Sequence, residues 1–413
     1  MNFTKRWIMH ENRYWVVGIL RVAIIGAGMT PIRRKWDRGS RELALMAIFE
    51  ALDMAGIGPR DINGIFTVPQ GYIIDPEDVD WLATQHLGEY FFIDTKAQAM
   101  VEIGGVSSLV ALKYAAFEIL MGRCNIALVY AAEKQVVREE WNPQRHMYLL
   151  YLVNGFYGPL DKRYGIMKPI VYYAMITQRY MYEYGVSRED LAYVPVVLRK
   201  HASMNEKAQF RDPITVEDVL KSKVVCPPLH ILDCCPTSEG AAALILASEK
   251  VAKDLGVDRV YITGIGEHHD PTSFFPVYGS ATEFPCARKA MEEALQKSGR
   301  KIKDIDIAEV YGPFSGTEVM LYEELGFFRK GEAIQAIKEG RTTIDGEIPI
   351  NTSGGRLSLG HPPHVTPLAE VYEIFLQLTG RAGQRQVKDA EVGAVHAEHG
   401  AVNGSMVMIL EKG

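Results

Sequence analysis

A chain of 413 residues, 47% hydrophobic and 23% charged, has material for a large core and the composition of an ordinary globular protein. Its net charge of −6, with no basic stripe and no Lys/Arg cluster, excludes a nucleic-acid-binding surface and an anionic-membrane surface. The five cysteines (Cys124, Cys226, the adjacent Cys234 and Cys235, Cys286) show neither zinc-ligand spacing nor a disulfide framework, so no metal site and a reducing cytoplasm are expected.

Residues 1–19 read as an N-terminal extension, since Glu11, Asn12 and Arg13 interrupt any signal-like apolar run. "RVAIIGAGMT" (21–30) is a β-branched run ending in glycines and predicts a first strand. Its "GAGMTP" has the outline of a dinucleotide fingerprint, but Pro31 replaces the third glycine and no distal acid follows, which favours a structural turn. An amphipathic helix then runs into "EALDMAGIGPRDINGIF" (50–66), where Gly56 suits the helix end and Asp61 the turn into the next strand. "AMVEIGGVSSLVAL" (99–112) passes through two glycines into a helix start, a setting that would activate a thiol, yet it holds no cysteine. Residues of about 133–225, rich in Tyr, Met and Arg, read as an insertion: a loop domain over a site, or a dimerisation surface. The apolar run 147–153 inside it is too short to cross a bilayer.

From residue 258 the pattern starts again. "RVYITGIGEH" (259–268) repeats the first strand, and "EALQKSGRKIKDIDIAEVY" (293–311) repeats the helix, with Gly299 for Gly56 and Asp304-Ile305 for Asp61-Ile62. Two related halves are expected, 20–255 and 258–413, each a mixed sheet covered by helices.

Three later segments carry a resemblance. "LDCCPTSEGAAALILAS" (232–248), "EVYGPFSGTEVMLYEELGFFRKGE" (309–332) and "NTSGGRLSLGHPPHVTPLAE" (351–370), with the glycine pattern of 393–410, are similar to the thiolase superfamily, most of all its lipid-transfer-protein branch. The resemblance implies a duplicated α/β thiolase fold in five layers, αβαβα, and at least a homodimer. It places the nucleophile position of the family at Gly105, which has no side chain to acylate, and leaves Ser107 as a nearby hydroxyl aimed elsewhere. It also places the Gly-His-Pro histidine at His361 and a motif-head residue at Tyr311, followed by Gly312 where an acid is usual. The late Cys-x-Gly acid/base has no cysteine; His396, Glu398 and His399 stand there.

Tyr311, His361, His396 and His399 are therefore the candidate proton carriers and oxyanion holders. Such a set suits making or breaking a C–C bond beside a coenzyme A thioester by aldol or retro-aldol chemistry, with the thioester as substrate and no permanently bound cofactor. The resemblance extends to members lacking the cysteine that act as aldolases with a zinc-ribbon/OB-fold partner protein. Two alternatives stand beside this: an acyltransferase or thiolase whose nucleophile comes from a displaced cysteine or a partner, and a non-catalytic acyl-CoA-binding subunit.

Overall fold

Two glycine-bearing strands lie side by side at the centre of the computed structural model, which describes residues 21–69, 80, 82–135, 169–270, 280–400 and 402–413. The N-terminal extension and the aromatic run at 147–153 fall outside the described residues. The first strand, β1 (Val22–Met29), is followed by α1 (Ser40–Ala55), β2 (Gly64–Thr67), α2 (Ala83–Phe91), β3 (Ala97–Met100), α3 (Ser107–Leu120) and β4 (Ile126–Glu133). Between β4 and β7 lie α4 (Pro169–Tyr184), α5 (Tyr193–Ser203) and a small hairpin, β5 (Val224–Cys226) and β6 (Leu229–His230). β7 (Gly240–Ser248) closes the first half. The second half runs β8 (Val260–His269), α6 (Pro285–Ser298), β9 (Ile307–Val310), α7 (Ser315–Glu324), α8 (Thr366–Leu378), β10 (Val392–His399) and β11 (Gly404–Lys412).

The nine long strands order as β3-β2-β4-β7-β1-β8-β11-β10-β9. The halves are thus joined edge to edge into one hydrogen-bonded sheet, through three antiparallel residue pairs between β1 and β8. Alternation of side chains gives each half-sheet two buried faces. Ala23, Ile25, Leu128 and Tyr130 pack under α1, whereas Val22, Ile24, Ala127 and Val129 face α3 and α8. In the second half Ala308, Val310 and Ala394 face α6 and α7, and Ile307, Val395 and Ala397 face the central helices. Every residue of α8 is buried, and it touches strands of both halves. The layers therefore run αβαβα.

The internal repeat is a repeat of packing. A Cβ on Gly26 or Gly28 would lie 2.2 or 2.1 Å from the carbonyl oxygens of Ala51 and Ala47 in α1. On Gly264 or Gly266 it would lie 2.2 or 1.8 Å from those of Ala294 and Ala290 in α6. The glycines of "GAGMTP" and "GIGEHH" thus let a helix backbone settle directly on the strand. Gly56 and Gly299 close α1 and α6 at φ 65° and 70°, and Asp61 and Asp304 each accept a backbone N–H three residues back at 2.8 Å.

Candidate active site

Tyr311 follows β9 directly, and a buried asparagine sets where that strand ends. Asn351 accepts the Val310 N–H at 2.6 Å and donates to the Val310 carbonyl at 3.0 Å. Its amide also reaches the Glu318 carboxyl at 3.0 and 3.1 Å. A Cβ on Gly312 would lie 2.4 Å from Glu318 Cδ, so a carboxyl from α7 fills the space beside a residue that has none of its own. Residues 234–238 thread between the two motif segments. Cys235 N–H donates to the Pro313 carbonyl at 2.9 Å, and Ser238 Oγ accepts the His361 N–H at 2.9 Å.

This framework brings Tyr311 and His361 together, edge to face with ring centroids 5.1 Å apart. The tyrosine oxygen lies 3.4 Å from His361 Nε2. Thr366 Oγ1 stands 3.4 Å from Nδ1 on the other side, and its own proton goes to the Pro362 carbonyl at 2.8 Å. Towards the imidazole that hydroxyl can only accept. The ring proton then sits on Nδ1, and Nε2 turns a lone pair to Tyr311. Burial, and then the Arg356 charge, pull His361 down to about 3, so the neutral ring is the working form. Burial and the nearby Glu398 push the Tyr311 hydroxyl well above its ordinary 10, against the pull of Arg356.

Gly105 lies in the turn Gly104–Val106 that opens α3. A Cβ there would be 3.1 Å from the Tyr311 oxygen and 2.2 Å from the Glu398 carbonyl oxygen. The glycine is at the site, but the β10 backbone occupies the space a side chain would need. Ser107 caps this turn: its Oγ accepts the Ile103 N–H at 2.8 Å and donates to the Gly104 carbonyl at 2.6 Å. Glu102 accepts the Gly104 N–H at 2.9 Å and meets His364 Nε2 at 2.8 Å. Burial disfavours charge on His364, but Glu133 and Glu102 outweigh it and raise its pKa, and the imidazole ties the Gly105 turn to the His361 loop.

The other two histidines separate. His396 is buried on β10 with Nε2 3.3 Å from Ser405 Oγ, and its Nδ1 has no hydrogen-bond partner among the described residues. Burial lowers it to about 3, and among the described residues no contact joins it to Tyr311 or His361. His399 backs onto Gly104, whose Cβ would lie 3.1 Å from that of His399. It pairs with His269 at 2.9 Å, and His269 in turn meets Glu267 at 2.9 Å. Burial and His269 hold His399 near 4.

Glu398, between them, is the group that counting motifs passes over. Burial raises its carboxyl to about 8. Tyr173 of α4 places its hydroxyl 2.9 Å from Glu398 Oε1 and 2.8 Å from the Gly400 carbonyl. A phenol has one proton and the carbonyl can only accept. Both bonds form together when Glu398 keeps its own proton and gives it to the tyrosine oxygen. The acid-x-glycine order of residues 398–400 was the available signal, while Tyr173, 225 positions away, left none. Helix α4 thus reaches Glu398. One further cluster, His268, Asp270 and Cys286, lies within metal-binding reach, but the thiol donates to the Asn403 carbonyl at 3.1 Å and Lys289 Nζ approaches His268 at 3.4 Å.

Such a fold has known counterparts. Residues 22–250 match the thiolase N-terminal domain and residues 271–412 the thiolase C-terminal domain-like family. The chain belongs to the thiolase family. Within it, the chain is 33% identical to an acetyl-CoA acetyltransferase of Methanothermobacter thermautotrophicus, over 95% of this chain and 99% of that protein. It is 31% identical to a steroid side-chain-cleaving aldolase of Thermomonospora curvata, over 85% and 90% respectively. A solved structure, the Ltp2-ChsH2(DUF35) aldolase, superposes with a TM-score of 0.79 at 28% identity, covering 95% of this chain and 98% of that one.

Proposed function

We propose that the protein makes or breaks the Cα–Cβ bond of a β-hydroxyacyl-CoA thioester by aldol or retro-aldol chemistry, without an acyl-enzyme. One observation carries the reading: the Glu398 carbonyl occupies the side-chain space at Gly105, beside an intact Tyr311–His361 pair. A nucleophile has no room there, and a proton relay remains. In the cleavage direction the substrate's β-hydroxyl gives its proton to the Tyr311 oxygen as the tyrosine passes its own to His361 Nε2. The Cα–Cβ electron pair moves into the thioester as an enolate, and the β-carbon leaves as an aldehyde or ketone. The enolate carbon then takes the proton held on Glu398. The steroid side-chain-cleaving aldolase among the relatives supports this chemistry for the chain.

The acetyl-CoA acetyltransferase relative favours a second reading, acyl transfer. In the thiolase pattern that chemistry uses a cysteine thiolate. Cys235, whose charge would reach Tyr311, is the candidate displaced cysteine, but burial pushes its thiol up to about 12. Panels of β-hydroxyacyl-CoA and β-ketoacyl-CoA thioesters test the two readings. The first predicts a carbonyl product and a shortened acyl-CoA from the hydroxy panel, with no adduct in the intact-protein mass. Thiolysis of the keto panel or a covalent acyl adduct would install acyl transfer instead. Binding without turnover, with or without a partner, would make the chain a non-catalytic subunit.

The same reading includes a homodimer, a zinc-ribbon/OB-fold partner and a cytoplasmic setting. β3 is a sheet edge paired only with β2 among the described strands, and beside it Tyr114 and Phe117 of α3 and Met121 just past its end are exposed, which suits a second copy. The ChsH2(DUF35) component of the solved aldolase supports the partner. No helix among the described residues is long and apolar enough to cross a membrane.

A further inference from the structure

Behind Tyr311 and His361 lies a charge that a hydrocarbon core does not need. Arg356, in the four-residue helical turn Gly355–Ser358, and Glu370 of α8 are both 0% exposed and form an ion pair. The pair is incompletely satisfied: Arg356 Nε and Nη1 and Glu370 Oε2 have no hydrogen-bond partner among the described residues. A buried ion pair of this kind is weak support for stability, since well-packed apolar side chains of similar volume often do as well. Its placement points elsewhere. The guanidinium carbon lies 5.2 Å from the centroid of the Tyr311 ring. The same charge reaches His361 and Cys235.

We propose that Arg356, held by Glu370, is a positioning residue that fixes the resting proton of the Tyr311–His361 pair on the tyrosine oxygen. The proposal rests on the retro-aldol reading of the site for its activity readout. A cation beside the imidazole disfavours a second proton on that ring, and a cation over the phenol ring favours giving the proton up when a substrate asks for it. Arg356 therefore does two things at once. It keeps Nε2 bare as an acceptor, and it offsets part of the burial that makes the tyrosine a reluctant acid. Glu370 keeps the cation in place; burial raises its carboxyl to about 7, against the pull of Arg356. The other groups acting on Tyr311 oppose ionisation: Glu398 from β10, Cys235 from the threading segment and Glu370 from α8. Tyr173 adds its neutral hydroxyl through Glu398, and Thr366 faces the far nitrogen of His361.

The test compares the wild type with R356L/E370L, which replaces the pair by apolar side chains, and with R356K, which keeps the cation. Nuclear magnetic resonance titration of the His361 ring is the first readout, and the pH dependence of kcat on a β-hydroxyacyl-CoA is the second. In R356L/E370L the His361 titration should move up by a unit or more, about tenfold in its protonation constant, and the acid limb of kcat should move with it. R356K should titrate like the wild type. A folded double variant with unchanged His361 titration and unchanged pH profile overturns the proposal. Should that variant fail to fold, R356Q decides: it removes the cation alone, so His361 should titrate higher than in the wild type, and an unchanged titration overturns the proposal. A wild-type enzyme that cleaves no β-hydroxyacyl-CoA defeats the retro-aldol reading, and the titration still decides the role of the pair.

Discussion

Glycine at position 105 leaves no room for a side-chain nucleophile, because the Glu398 carbonyl stands 2.2 Å from where a Cβ would be. Placing a thiol there therefore means moving β10. Gly105→Cys should lose roughly 1–3 kcal/mol of stability, the range for overpacking a filled site, and should show no thiolysis of β-ketoacyl-CoA. Denaturant titration and a thiolysis assay check this; thiolysis at full stability would mean that the strand yields. Tyr311→Phe leaves the ring and its contacts but removes the relay's oxygen. Its kcat should fall about 10²–10⁴-fold, the usual scale for a positioned proton carrier, with the melting temperature and KM little changed. Glu398 is useful as an acid only while protonated. With its carboxyl raised to about 8, kcat should fall as the pH rises through that value. A rate that keeps climbing above pH 9, well past about one unit beyond that midpoint, would remove Glu398 from the reaction.

At the scale of strands and helices, local grammar predicts well and long-range contact does not. Both halves carry a glycine-bearing strand, a helix ended by a left-handed glycine and an aspartate-capped turn, and each of these is written within about 45 residues of chain by rules of backbone sterics. The two kinds of glycine have different costs. Gly266→Ala drives a Cβ to 1.8 Å from the Ala290 carbonyl and must push α6 off β8, whereas Gly299→Ala meets nothing within 4 Å and bears only the strain of its φ of 70°. Urea denaturation should rank Gly266→Ala as the more damaging, with Gly299→Ala near the 1–2 kcal/mol that a left-handed non-glycine residue costs. Equal losses would show that α6 shifts freely. The site was legible to the same degree. Tyr311 and His361 stand in recognisable segments and meet as expected. His396 sits in the right segment, but it lies two residues back from Glu398 along the same face of β10, against Ser405. Glu398 gains its meaning from Tyr173, and Arg356 from the ring of Tyr311, across 225 and 45 positions, respectively. Such meetings are set by how layers stack, which no local pattern records.

For the whole molecule the buried titratable groups set a pH window for stability. His361 and His396 are lowered by burial from 6.5 to about 3, and His201 and His399 to about 4. Each binds a proton more readily when unfolded, so each costs stability as the pH falls from 6.5 towards those values. Glu398 and Glu370 move the other way, from 4.5 to about 8 and about 7, again chiefly through burial. Folded, they keep protons that the unfolded chain has lost, so their contribution is complete below 4.5 and is lost as the pH rises through 7 and 8. Below 4.5 only the histidine slope acts among these six groups, and above 6.5 only the carboxyl slope. Between the two values four histidine slopes outweigh two carboxyl slopes, so stability rises until the histidine contribution fades near 6.5, and the maximum should lie close to that pH, on the acid side of neutrality. Denaturant melts from pH 4 to 9, about the span in which these groups titrate, check this. Stability still rising from pH 6.5 to 8 would mean that Glu398 and Glu370 are ionised in the folded protein. In that case the acid assigned to the enolate carbon would have no proton to give at neutral pH.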